Sequence, residues 1–238
     1  MSSPLLREDN DGVTTLTLNR PEVGNRLTNP MADDLRRIIG EAASSRVIVL
    51  RGAGDNFCLG RELPPEAHGE LTAIEAKRIH TEPILNLCAA FENSPVPILG
   101  VVQGKAMGGA TAIAAMCDIT LASDDAVFQL PELHHGIPPC LAMSALAPRV
   151  PRKAIVHMVY STDPIDAATA LAIGLVSRVV PRAELDAAAS ALAAKISHYD
   201  PAPSAAVKQY MRFAPELESA AAAELAGNLL ANVVSSRR

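Results

Sequence analysis

Two strand-to-turn segments carry the residue types of an oxyanion site. The first is Val47-Ile48-Val49-Leu50-Arg51-Gly52-Ala53-Gly54-Asp55-Asn56-Phe57-Cys58-Leu59-Gly60-Arg61-Glu62-Leu63. The second is Pro97-Ile98-Leu99-Gly100-Val101-Val102-Gln103-Gly104-Lys105-Ala106-Met107-Gly108-Gly109-Ala110. Each leaves an apolar strand for a glycine turn, where backbone N–H groups can lack a partner. Two N–H groups aimed at one point stabilise an oxyanion. Gly108-Gly109 also opens an Ala-rich stretch, so a helix dipole adds to the attraction. Each segment alone is a weak signal and reads more readily as a plain tight turn. Metal chemistry has less support. Cys58, Cys88, Cys117 and Cys140 form no CxxC and no Cys/His pair at zinc-finger spacing. They read as isolated small hydrophobes, without disulfides or a structural metal.

The elements that must position these turns follow from periodicity. Val13 to Leu18 alternates as a strand, after a polar start that ends at Gly12. Pro30 to Ala43 reads as a helix, with Leu35, Ile38 and Ile39 at helical spacing. Arg46 to Leu50 and Pro97 to Val102 read as strands buried on both faces. Thr72 to Phe91 reads as a helix that Pro83 kinks or splits. Gly104 to Gly109 reads as a turn, Ala110 to Met116 as a short helix, Asp118 to Ala122 as a strand, and Pro131 to Pro139 as a loop. Beyond that the pattern is mainly helical, with one more strand at Val176 to Val180. Ala183 to Ser197, Pro203 to Phe213 and Glu216 to Val233 form a helical tail. Strands alternating with helices imply an α/β fold.

Composition narrows the function. The 238 residues are 49% hydrophobic, enough for one domain with a sizeable core. Aromatics are 3% and net charge is −5, which argues against a nucleic-acid partner. No apolar run reaches the roughly 18 residues of a membrane span. The start, MSSPLLREDNDG, shows no signal-peptide pattern, so the expectation is a cytoplasmic protein.

In combination the motifs resemble the crotonase superfamily, the enoyl-CoA hydratase/isomerase family. The matching stretches are Leu18–Thr28, Val47–Leu63, Pro97–Ser123, Phe128–Pro139 and Gly174–Pro181. The resemblance implies a spiral of ββα units over residues 1–181 and a C-terminal helical oligomerisation region over 182–238. It implies a homotrimer or a dimer of trimers. The ligand is then an acyl-CoA thioester, with coenzyme A arriving as part of the substrate and no permanently bound cofactor. By motif position the oxyanion donors are the N–H groups of Arg61 and Gly109, the latter preceded by Gly108. Val23, Gly24 and Arg26 match the CoA groove, as do Leu59 and Gly60. His80 falls on the helix that borders the acyl pocket in this family. Cys140 lies eight residues after Glu132, where some members place a catalytic aspartate.

One departure decides the expected reaction. The family's hydratases hold a water between two glutamates. The first position falls here on Ala112, three residues after Gly109, and the second on Glu132. A methyl group is neither acid nor base. A 3-enoyl to 2-enoyl double-bond shift needs only one carboxylate, which takes a proton from C2 and returns it to C4. The expectation is therefore an isomerase with Glu132 as base. The alternatives are a hydratase, an enolate-based hydrolase or decarboxylase, and a non-catalytic CoA-binding paralogue. His80, His134 and His135 are the candidates for a replacement second group. The Arg61 guanidinium has three open uses: a CoA phosphate, Glu62, or a plain solvated charge. Lys208 faces either a CoA phosphate or solvent.

Overall fold

A computed structural model describes residues 3–236. Asp11-Gly12 is a two-residue turn with φ of 47° and 78°, the geometry a tight hairpin requires. It joins β1 (Leu5–Asn10) to β2 (Val13–Leu18) in antiparallel register. The polar start is therefore a strand. Its polarity reflects an edge position: after Leu5 its residues are solvent-facing or half-buried.

The remaining strands are β3 (Val47–Gly52), β4 (Ile98–Val102), β5 (Lys105–Met107), β6 (Ile119–Ser123), β7 (Val127–Gln129), β8 (Ile165–Asp166) and β9 (Arg178–Val180). The main sheet has the order β1-β2-β3-β4-β6-β9 and is parallel from β2 onward. A smaller sheet has the order β5-β7-β8.

The continuous apolar runs in β3 and β4 are explained by two cores. Ile48, Leu50, Ile98 and Val102 face the larger core. Val47, Val49, Leu99 and Val101 face a second core closed by Leu185, Ala189, Ala193 and Ile196 of one helix, α8 below. Side chains alternate across a strand, so an unbroken apolar run such as Val47–Leu50 serves both layers.

The helices are α1 (Asn29–Gly40), α2 (Ala73–Ala76), α3 (Glu82–Asn93), α4 (Gly109–Met116), α5 (Cys140–Leu146), α6 (Arg152–Ser161), α7 (Ala167–Ala172), α8 (Leu185–Ser197), α9 (Pro201–Phe213) and α10 (Ser219–Ser235). Pro83 does split its helix: a π-helical turn, Lys77–Thr81, separates α2 from α3. The Gly104–Gly109 turn contains β5, and the Pro131–Pro139 loop contains a 3₁₀ turn at Glu132–His135. No described helix is long and apolar enough to cross a membrane.

The chain advances by one repeated step: a main-sheet strand, a short cross piece, then a helix. Cross pieces after β2 and β3 meet at the Leu27–Arg61 bridge, and Cys58 bridges Ala106 of β5. β5 then pairs with β7. This is the crotonase-like ββα spiral, with a helical C-terminal region. Lys208 anchors α9 to the spiral through Asp118, at 2.6 Å. Neither α9 nor α10 has a fully buried residue, and Val207, Met211, Leu230 and Val234 are exposed on them.

The corner between β4 and β5 depends on Gly104, with φ +55°. A Cβ there would lie 2.2 Å from the Asp55 carbonyl oxygen. Gly104→Ala is expected to lower the unfolding free energy in urea by about 3 kcal/mol. Gly40→Ala, with open space around its Cβ at the end of α1, is expected to raise it by about 0.5 kcal/mol.

Candidate active site

Backbone pairing builds the site. Cys58 pairs in parallel with Ala106. Its N–H donates to the Lys105 carbonyl at 3.1 Å, and its own carbonyl accepts from the Met107 N–H at 3.0 Å. Three residues further along each segment stand Arg61 and Gly109. The residues flanking Arg61 are bonded to Leu27: the Leu27 N–H donates to Gly60 at 2.9 Å, and the Glu62 N–H to Leu27 at 3.0 Å. Strand geometry therefore turns the Arg61 N–H to the opposite side. Gly109 is the first residue of α4, so its N–H has no partner within the helix.

Two glycines make the close approach possible. Gly60 has φ +95°, and a Cβ on it would lie 3.2 Å from the Met107 carbonyl oxygen. Gly108 has φ +56°, and a Cβ on it would lie 2.7 Å from Glu132 Oε1. The carboxylate of Glu132 thus occupies the space a side chain at Gly108 would take.

Glu132 opens the 3₁₀ turn Glu132–His135, which Gly136 closes in a left-handed conformation. The Ile137 N–H donates back to the Glu132 carbonyl at 3.1 Å. The side chain is half-buried, and its Oε2 is buried with no hydrogen-bond partner among the described residues. Burial raises its pKa above the usual carboxylate value, opposed by its own N–H and by the charge of His135. Ala112 is 5% exposed and part of the core, so α4 supplies no second carboxylate at that position.

A match to the family description "Enoyl-CoA hydratase/isomerase" extends over residues 8–238. The chain belongs to this family. Among curated relatives, the rat mitochondrial enoyl-CoA hydratase domain-containing protein 3 is 34% identical over 194 residues, 79% of this chain and 63% of that protein. The chain thus spans somewhat less than two thirds of that relative. An enoyl-CoA hydratase structure from Mycobacterium smegmatis is 30% identical with a TM-score of 0.90, covering 97% of this chain and 90% of the other. The human enoyl-CoA hydratase domain-containing protein 3 is 26% identical with a TM-score of 0.89, covering 98% and 92%.

The segments that match the family's CoA groove come together. Leu59 donates its N–H to Gly24 at 2.8 Å, and its side chain fills the space a Cβ on Gly24 would occupy. Between them lies Asn25, fully buried with φ 56°. Its Oδ1 accepts from the Arg20 N–H, and its Nδ2 donates to the Ala53 and Asn56 carbonyls, each at 2.8 Å. Gly24 and Asn25 both take left-handed conformations, as Gly and Asn tolerate in a tight turn. Val23 and Arg26 are exposed.

Several residues stand apart from their expected places. The Arg61 guanidinium does not pair with Glu62, which pairs with Arg20 at 2.9 Å. It is neither a solvated charge nor free for a CoA phosphate. It donates to Asn29 Oδ1 at 2.6 Å, to the Ile79 carbonyl at 2.8 Å, and to the His80 carbonyl. Burial pushes its pKa down to about 10. Lys208 is neither a solvent-facing lysine nor free for a CoA phosphate in this chain, because its side chain is 10% exposed and paired with Asp118. His134 Nε2 lies 2.7 Å from Thr162 Oγ1, which directs that ring toward Thr162. His135 and Cys140 are exposed, and His80 is half-buried in the π-helical turn. No group of metal-ligating side chains occurs among the described residues.

The raised pKa of Glu132 carries a stability signature. The folded protein holds this proton more tightly than the unfolded chain. The resulting stabilisation is full below the ordinary pKa of 4.5 and is lost as pH rises through the shifted value. Glu132→Gln is therefore expected to match the wild type in Tm at pH 4 and to exceed it by about 2 °C at pH 7. A gap that does not grow with pH in thermal unfolding would show that the ionised carboxylate carries no such burden.

Proposed function

We propose that the protein is a 3-enoyl-CoA to 2-enoyl-CoA isomerase. The observation that carries this reading is a single half-buried carboxylate, Glu132, set against the Gly108-Gly109 turn, with alanine at the position where a second would stand.

The thioester carbonyl oxygen accepts hydrogen bonds from the N–H groups of Arg61 and Gly109. Glu132 removes a proton from C2, and the electron pair moves into a dienolate whose charge rests on that oxygen. One such donor stabilises the developing charge by about 3 kcal/mol. The protonated Glu132 then returns the proton to C4, the double bond settles between C2 and C3, and the carboxylate is restored. A desolvated base suits the first step, because its raised pKa strengthens its hold on the proton.

Coenzyme A arrives as part of the substrate in this reading, and no resident cofactor takes part. Assembly as a homotrimer or dimer of trimers is supported by the apolar side chains left exposed on α9 and α10. The four free cysteines suit a reducing compartment, and our reading places the protein in the cytoplasm.

Incubation with a 3-enoyl-CoA is expected to produce the ultraviolet absorbance of the conjugated thioester. kcat/KM should rise with pH along a limb whose midpoint lies above 4.5. Glu132→Ala should lower the rate by about 100-fold or more. No conversion at any chain length, or full activity in Glu132→Ala, would refute the isomerase.

The oxyanion donor is tested separately. Space is open around a Cβ on Gly109, and proline is tolerated in a first helical turn. Gly109→Pro deletes the N–H and is expected to cost about 100-fold in kcat. Gly109→Ala keeps the N–H and should stay within about threefold of wild type. Equal losses in both would remove the Gly109 N–H from the mechanism.

A further inference from the structure

Arg61 does more than lend its N–H. A proline has no N–H to donate to the carbonyl four residues earlier, and for Pro83 that carbonyl belongs to Ile79. The chain passes this point as a π-helical turn, with the Glu82 N–H donating to Lys77. The Ile79 carbonyl is filled from outside the helix, by Arg61 Nη2 at 2.8 Å and by Asn29 Nδ2 at 3.1 Å. Arg61 also donates to the His80 carbonyl and to Asn29 Oδ1. Three segments distant in sequence thus meet on one guanidinium: the start of α1, the π-helical turn and the oxyanion strand. No carboxylate pairs with Arg61 among the described salt bridges, and its Nε is sealed from solvent without a partner. A surface cation or an anion receptor would keep that edge accessible.

We propose that the Arg61 guanidinium is a latch that fixes the Lys77–Thr81 turn against the oxyanion strand, so that the acyl-pocket wall and one oxyanion donor move as a unit. Arg61 is then a positioning residue through its side chain, in addition to the role of its backbone. The inference rests on reading this site as an acyl-CoA site. The latch links acyl-chain fit to the reaction: a chain that displaces Ile79 or His80 also strains the backbone that carries the Arg61 N–H.

The test compares Arg61→Met with Arg61→Lys, both of which keep the backbone N–H. Amide hydrogen exchange on the free protein is expected to accelerate at least tenfold across residues 77–85 in Arg61→Met. Arg61→Lys, which keeps a cationic donor, should recover at least a third of that change on a logarithmic scale. By calorimetry, the affinity for coenzyme A alone should stay within twofold, while the extra affinity that an acyl chain confers falls about tenfold in Arg61→Met. Val159→Ala, a buried change on α6 outside the three segments that Arg61 joins, serves as a stability control and should alter neither quantity. Unchanged exchange across 77–85 in Arg61→Met would overturn the latch. Faster exchange with an unchanged acyl increment would overturn its link to the ligand. Binding of neither coenzyme A nor acyl-CoA by the wild type would instead refute the acyl-CoA reading, while the exchange result still judges the latch.

Discussion

The parallel pairing of Cys58 with Ala106 is the constraint on which the site depends. It sets the register of the two cross pieces that follow β3 and β4, and Arg61 and Gly109 each lie three residues beyond the paired positions. A slip of one residue would reverse the directions of the side chains and N–H groups on that strand. The buried Cys58 thiol belongs to this scaffold. It donates to the Gly60 carbonyl at 3.3 Å, and burial pushes its pKa up to about 11, far from a reactive thiolate.

Around that register the chain accepts local costs. Positions 60 and 108 favour glycine because both have a positive φ and because a Cβ there would crowd the Met107 carbonyl or meet Glu132. Glu132 Oε2 and Arg61 Nε are buried polar atoms without partners among the described residues. Such groups detract from stability and concentrate where a structure has work to do. The rest of the architecture compensates with two cores on opposite faces of one sheet, so strain at the cross strands is backed by well-packed β3 and β4.

Much of this was legible in the sequence. The strands β3 and β4 announced burial on both faces through unbroken apolar runs, and the ordered glycine motifs pointed to the family and its ββα spiral. The Asp11-Gly12 hairpin was missed because an edge strand is polar and lacks alternation. The partners of Arg61 were missed for a different reason. They are main-chain carbonyls of Ile79 and His80 and the side chain of Asn29, brought close only by the tertiary fold. The proline that frees one of those carbonyls was visible, but not what would fill it. Lys208 likewise found Asp118, 90 residues away in sequence.

One carboxylate that both takes and returns a proton leaves a trace that two separate groups do not. The most direct measurement is conversion of a 3-enoyl-CoA deuterated at C2, with the product analysed by mass spectrometry and NMR. The account predicts deuterium at C4, transferred within the same molecule above the level set by exchange with solvent. Conversion in which C4 carries only solvent hydrogen would contradict it, as would no conversion at all.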